Sequence, residues 1–327
     1  MKTIAHEVLD IESEDFEVPR SSYDTLEAIL KKAKRVIDVD SEPIDILLTI
    51  SIVLRSLCFN YKEVRLLSNH LQTKEIDCMG YSLLYHSIGE ELGLPIAIAL
   101  APGHMFVRFN IEGKAPVNWE TTSNDEVSDE KYISTFNISK EAISNGFYLS
   151  NLTREEIKAE AVHNCGIVKR AKGDLDRAIF DLNRALELNP NIIHAYYNRG
   201  NAKQEKGDLK GAISDYDKAI ELDPNHISAY INRGAAKQKK GDLDGAISDY
   251  DKAIELNPNN TVAYCNLGLV KMAKGDLDWA ISDLNRALEL DPNYAPSYFF
   301  RGKVKERKGD LEGAKKDFEM YERLRKK

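Results

Sequence analysis

The sequence predicts two unlike parts: an α+β domain of helices on a small antiparallel sheet, followed by an all-α solenoid. Two observations carry this. Gly-Asp-Leu recurs at Gly173, Gly207, Gly241, Gly275 and Gly309, a 34-residue period through the second half of the 327-residue chain. Between Asp77 and Thr122, a helix signal is followed by short apolar and alternating runs punctuated by Gly and Pro, the pattern of a helix laid on strands.

Residues 1–22 are acidic, with Glu7, Asp10, Glu12, Glu14, Asp15 and Glu17 ahead of Pro19, and are expected to form an arm or a segment laid over the first domain, residues 23–150. Asp24 is placed to cap a helix through about Ile37, with Leu26, Ile29, Leu30 and Ala33 at helical spacing. Ser41-Glu42-Pro43 opens a second helix, Pro standing in the first turn where its missing N–H costs nothing. Ile46, Leu47, Ile50, Val53, Leu54 and Leu57 make that helix nearly all apolar, so burial is expected, with Cys58 as a small core hydrophobe at its end.

A third helix should begin near Cys78, with Tyr81, Leu84, Tyr85, Ile88 and Leu92 as one stripe facing a sheet. Gly93 ends it and Pro95 forbids its return. Ile96–Leu100 reads as a short buried strand. His104–Ile111 alternates as a second, with His104, Phe106 and Arg108 on one face, and Pro116–Thr121 returns as a third after the Glu112-Gly113 turn. Residues 125–150 should give short helices capped by Ser128 and Ser139.

The array spans residues 153–327 and starts at a capping box, Thr153-Arg154-Glu155-Glu156. Each unit has a glycine where two antiparallel helices cross (Gly166, Gly200, Gly234, Gly268, Gly302) and an alanine that lets the second helix approach (Ala178, Ala212, Ala246, Ala280, Ala314). A Gly-Asp turn supplies a capping carboxylate, and Asn/Asp-Pro pairs ending in Pro190, Pro224, Pro258 and Pro292 stop the second helix. These residues resemble the tetratricopeptide repeat (TPR), in five units over roughly half the chain. The near-identity of Asn198–Asn225 and Asn232–Asn259 points to recent duplication.

Cys78, His104 and Glu120 occur in that order on a helix start and two successive strands. A thiol at the positive end of a helix dipole, an imidazole beside it and a carboxylate to orient the imidazole form the constellation of nucleophilic catalysis. A lone cysteine is commonly a small buried hydrophobe and a lone histidine a structural one; three in order on suitable elements argue for a site. Asn118 and Asp125 are alternative partners for His104, and the Cys78 backbone N–H is a natural oxyanion donor. His70 and His86 read as unconnected to the site, one near a loop and one on a helix surface.

The same stretch resembles the transglutaminase-like branch of the papain-type cysteine superfamily. The resemblance covers residues 40–150 and rests on Cys78-Met79-Gly80-Tyr81-Ser82-Leu83-Leu84, Leu92-Gly93-Leu94-Pro95, His104-Met105-Phe106-Val107 and Trp119-Glu120-Thr121-Thr122. It implies thioester acyl chemistry without fixing the acceptor. Two departures stand out: a Glu replaces the usual Asp, and no Pro follows it.

If the repeats are TPRs, the first helix of each unit lines a concave groove. The resemblance places His163 and Ile167, Tyr197 and Asn201, Ile231 and Ala235, Cys265 and Leu269, and Phe299 and Lys303 along it. Apolar residues with aromatic flanks suit a protein or peptide ligand, either extended or an amphipathic helix. His163 and Ile167 stand where a carboxylate clamp needs Lys and Asn, which disfavours that ligand. Arg199, Lys203, Arg233, Lys237, Arg301 and Lys305 alternate with acids and read as a solvated rim, while Cys165 and Cys265 read as packing residues.

Residues 1–150 hold 14 Lys+Arg against 24 Asp+Glu, and residues 151–327 hold 31 against 29 with signs interleaved, so no nucleic-acid partner is expected. The longest apolar run, Ile44–Leu54 broken by Asp45, is short for a membrane span, and Met1–Glu7 lacks the apolar core of a secretory leader. Four cysteines without paired spacing suggest free thiols in the cytoplasm. No metal or other cofactor is expected, since the chain has neither His-x-x-x-His nor Cys-x-x-Cys. Two functions follow as expectations: a cysteine-dependent acyl-transfer or amide-hydrolysing enzyme fed by the groove, or a non-catalytic interaction scaffold.

Overall fold

In a computed structural model, the structure describes residues 2–14, 16–56, 60–61, 67, 75–101, 104–121, 123, 125–136, 138, 140–144 and 148–325. Leu57, Cys58, His70, Thr122 and Ser139, singled out in the sequence, lie outside the described residues. The chain divides into two compact units, Met1–Ala202 and Lys203–Lys327.

The first unit opens with α1 (Ile4–Ser13), which is packed on the core with Leu26, Leu84 and Ile98, the second of the two arrangements expected for residues 1–22. Ile4, Ala5, Val8 and Leu9 recur at four-residue spacing and are wholly buried, and even Glu12 is buried, its Oε1 accepting the Leu67 N–H at 2.5 Å. The acids had masked this stripe. Helix α2 (Arg20–Val36) is capped by Pro19 and starts a turn before the expected Asp24. Helix α3 (Pro43–Ser56) is buried along Ile46, Leu47, Ile50, Val53 and Leu54, yet Ile44, Leu48 and Ile52 are exposed on a second stripe, so it is not covered all round as expected.

Strands β1 (Asn60–Tyr61) and β2 (Glu75–Ile76) form a short parallel pair. Helix α4 (Cys78–Leu92) ends at Gly93, whose φ of 69° is the left-handed conformation that glycine adopts without cost. Its burial exceeds one stripe: Ser82, Leu83 and Ser87 are buried along with Tyr81, Leu84, Tyr85 and Ile88. The sheet is β3 (Ile96–Ala101), β4 (His104–Phe109), β5 (Val117–Glu120) and β6 (Asp125–Glu126), in that order and all antiparallel. Short helices α5 (Asp129–Phe136) and α6 (Lys140–Ser144) follow, and Ser128 Oγ accepts the Lys131 N–H at 3.3 Å.

The first repeat is α7 (Arg154–Ala171) and α8 (Leu175–Leu188), followed by α9 (Ile193–Lys206). Thr153 and Glu156 close the capping box at the start of α7. Ile157 and Ala161 of α7 enter the same core as Ile4, Leu26, Leu84 and Ile98. Arg154 binds both Glu7 carboxylate oxygens at 3.0 Å and also Glu90, and Lys158 reaches Glu7 at 3.0 Å.

The second unit continues with α10 (Leu209–Leu222), α11 (Ile227–Lys240), α12 (Leu243–Leu256), α13 (Thr261–Lys274), α14 (Leu277–Leu290), α15 (Ala295–Lys308) and α16 (Leu311–Arg325). Asp208, Asp242 and Asp310 accept the N–H three residues on, capping their helices; Asp276 makes no such bond. Gly268 shows why each crossing carries a glycine: a Cβ there would lie 2.7 Å from Leu284 Cγ and 3.1 Å from the Ala280 carbonyl.

The basic residues expected as a solvated rim instead form internal ion pairs between the two helices of a repeat. Arg233 and Lys237 share buried Asp249, with Lys237 at 2.8 Å, and Arg301 and Lys305 share buried Asp317 at 2.6 and 2.9 Å. Lys203 holds Asp215 at 2.8 Å. In the first unit, Arg199 binds Asn183 at 2.7 Å. The acids sixteen or twelve residues downstream face these cations across the helix pair, a separation that reading along one helix does not reveal. No helix among the described residues is long and apolar enough to cross a membrane.

Candidate functional site

The site grows from three local rules. Asp77 stands outside α4 with extended backbone, and its carboxylate accepts the Gly80 N–H at 2.9 Å, so the helix begins at Cys78 and holds that half-buried thiol on its first turn. His104 opens β4 after the hairpin from β3, where Ala101 pairs with His104. Val107 pairs with Trp119, and continuing that register sets Glu120 across from Phe106 and diagonal to His104. A diagonal is longer than a direct cross-strand pair, and the extra methylene of Glu spans it. His104 Nε2 and Glu120 Oε2 lie 2.5 Å apart.

The electrostatics follow. Burial opposes charge on His104, but hydrogen bonds to Cys78 and Glu120 outweigh it and raise its pKa to about 10. Since Glu120 holds Nε2, Nδ1 is the nitrogen left for the thiol. The structure thus brings Cys78, His104 and Glu120 together. It does not bring the alternative partners: Asn118 accepts from Arg108 Nε at 2.7 Å and donates to Asp129 at 2.7 Å, and Asp125 is exposed on β6. His86 is half-buried on α4, with Nδ1 2.6 Å from the Ile96 carbonyl.

Sequence reasoning missed Tyr132. It is buried on α5, stacks on Phe106 at 4.3 Å between ring centroids, and donates to Glu120 Oε2 at 3.4 Å. Phe136 stacks on His104 at 6.1 Å. The signal was present as an aromatic pair at i and i+4, behind the Asp129-Glu130 start of a short helix.

A cavity of about 340 Å³ opens over Cys78 and His104, and its other wall is formed by His163, Ile167 and Arg170 of α7 and Tyr197 and Asn198 of α9. His163, expected to line a partner groove, is buried, with Nε2 2.9 Å from Asn198 Nδ2 and Nδ1 3.4 Å from Glu160. Tyr197 and Asn201 are half-buried.

In the second unit, Ile231, Ala235 and Leu269 are half-buried. Cys265, placed on the same stripe by sequence, is instead buried in the core with Leu284 and Ala287, and burial pushes its thiol pKa up. Phe299 packs on Phe300, Phe318 and Tyr321 at 5.5, 6.0 and 5.1 Å. Lys303 is exposed, 3.2 Å from Glu306 and over the Phe318 ring. Among the described residues no cluster of His, Cys, Asp or Glu could hold a metal ion.

Residues 166–207, 200–241 and 237–275 match a family described as TPR repeat, and residues 261–294 match one described as tetratricopeptide repeat. No curated protein matches the chain. Among solved structures, one described as the crystal structure of MamA is 30% identical, with a TM-score of 0.45 over 49% of this chain and 94% of its own. MamA residues 41-end from Desulfovibrio magneticus RS-1 are 25% identical, with a TM-score of 0.47 over 51% and 95%. YrrB, described as a TPR protein with an unusual peptide-binding site, is 24% identical, with a TM-score of 0.44 over 57% and 92%. The family matches and the repeated capped helix pairs agree: the C-terminal region of this chain is built of tetratricopeptide repeats.

Proposed function

We infer that this chain is a protein-interaction scaffold whose repeats hold a protein or peptide ligand. The observation that carries the reading is the TPR match over residues 166–294, an architecture that buries an apolar core between helix pairs and leaves half-buried side chains along the first helix of each. Ile231, Leu269 and Phe299 of the second unit are the residues assigned to ligand contact. Partners crosslinked in lysate and quantified by mass spectrometry should fall away together in Ile231→Ala/Leu269→Ala. A partner set unchanged by that pair would end the reading.

A second reading is favoured by the His104 hydrogen bonds to Cys78 and Glu120. In it the N-terminal domain is transglutaminase-like and performs thiol acyl chemistry. Cys78 sulfur attacks an acyl carbon, His104 gives its proton to the departing group, and water or an amine then resolves the thioester, returning a proton to His104. Glu120 keeps the imidazole oriented and charged. The test is site-resolved alkylation of Cys78 in His104→Ala. Labelling that is indifferent to that change leaves only the scaffold.

A further inference from the structure

We propose that α7 and α9 form the substrate wall of the Cys78 cavity, and that its occupant is an extended polypeptide segment lying against Tyr197 and Asn198 with an acyl carbon at Cys78. This rests on the thiol reading above.

The wall is built in. The Leu149 and Leu152 N–H groups donate to the Leu100 and Ile98 carbonyls of β3 at 2.9 and 2.7 Å, so the segment entering α7 runs along the edge of the sheet. Ile157 and Ala161 then sit in the common core, and Arg154 ties the start of α7 to α1 and α4. Helix α7, which brings His163, Ile167 and Arg170 to the cavity, is therefore packed on the same core as the sheet that carries His104.

Its chemistry selects a peptide. Asn198 Oδ1 receives Arg170 at 3.4 Å and its Nδ2 faces His163 Nε2 at 2.9 Å, which fixes the amide orientation. A primary amide has two donor hydrogens and two acceptor lone pairs, so one of each remains beyond those two bonds. One donor beside one acceptor is the complement of a peptide group. Beside these polar groups, Met79, Leu100, Ile167 and the Tyr197 ring supply apolar surface for the alternate side chains of an extended chain. The charged groups on the lining are mixed in sign, Asp77 and Glu160 against Arg170 and His104, so the cavity has no single-sign field for a phosphate or a cation. On the same wall His163 is almost wholly buried, its Nδ1 turned to Glu160 at 3.4 Å, so that it backs Asn198 and is not itself a ligand contact.

The test compares two alkylating probes on the full chain, iodoacetamide and acetyl-Ala-Ala-Leu chloromethyl ketone. With each, Cys78 sulfur displaces halide to form a thioether, the thiol proton and halide leaving to solvent. Rates at Cys78 are divided by those with free cysteine. The peptidyl probe should be favoured by about tenfold, and Tyr197→Ala and Asn198→Ala should each remove most of that advantage. If Asn198→Ala loses its thermal transition, the isosteric Asn198→Asp replaces it under the same two outcomes. No peptidyl advantage, or one that neither variant alters, overturns the proposal. Iodoacetamide labelling indifferent to His104→Ala would overturn the thiol reading and this proposal with it. Labelling that depends on His104 with an unaltered probe ratio would sink the wall alone.

Discussion

Glu120 Oε2 receives two groups, His104 Nε2 at 2.5 Å and the Tyr132 hydroxyl at 3.4 Å. A glutamate has one more rotatable bond than an aspartate, and the second contact removes that freedom. Tyr132→Phe should therefore loosen Glu120 without unfolding the domain, because the ring stack on Phe106 is kept. Cys78 alkylation at pH 7 should slow by a few-fold in Tyr132→Phe and by about tenfold in His104→Ala. Equal rates in wild type and Tyr132→Phe would remove Tyr132 from the site.

The pH dependence of stability has a definite sign. The His104 pKa stands at about 10 against an ordinary 6.5. A raised folded-state pKa contributes stability that is fully present below 6.5 and lost as pH rises through about 10. Thermal melts should show the first unit weakening across that window. In Glu120→Gln the loss should shrink, since one of the groups raising the pKa is gone. A variant with the wild-type slope would contradict the assignment.

Gly268→Ala tests the helix crossing in the array. Its methyl group would meet Leu284 Cγ and the Ala280 carbonyl, the second of which cannot rotate away. Overpacking of this kind costs about 1–3 kcal/mol. Chemical denaturation of the full chain should show the loss in the C-terminal transition, and an unshifted midpoint would mean the helices part easily there.

Asp249→Ala should be costly although it removes only a carboxylate. Asp249 is buried and holds both Arg233 and Lys237, so its loss strips Lys237 of this partner and leaves Arg233 with Asp217 at 2.6 Å. Breaking such a pair costs roughly 3 kcal/mol. Arg233→Met with Lys237→Met on the Asp249→Leu background should recover much of that loss; a triple variant no better than Asp249→Ala would point to backbone damage instead.

Much of this was legible in the sequence, for physical reasons that differ by region. The repeats announced themselves because Gly268, Asp242 and Pro258 each do one local job at a fixed interval. Cys78, His104 and Glu120 were legible because a cap, a hairpin and a strand place them by short-range rules. Tyr132 and the Asp249 ladder were not, since their partners lie across a packing surface and no local pattern names them. Helix α1 was hidden in another way: Glu7, Asp10 and Glu12 interrupt it and more acids follow, while Ile4, Val8 and Leu9 carry its packing.

The pairing of α1 with α7 has a temporal meaning. Glu7 and Arg154 are 147 positions apart, and Ile4 shares a core with Ile157. On a ribosome, the N-terminal helix would emerge long before the helix it must bind. The first unit therefore cannot close until synthesis has passed the first repeat, and in the interval the apolar face of α1 needs shelter. Its acidic face suits that wait, keeping a short greasy helix dispersed by charge repulsion until its basic partner, Arg154, arrives.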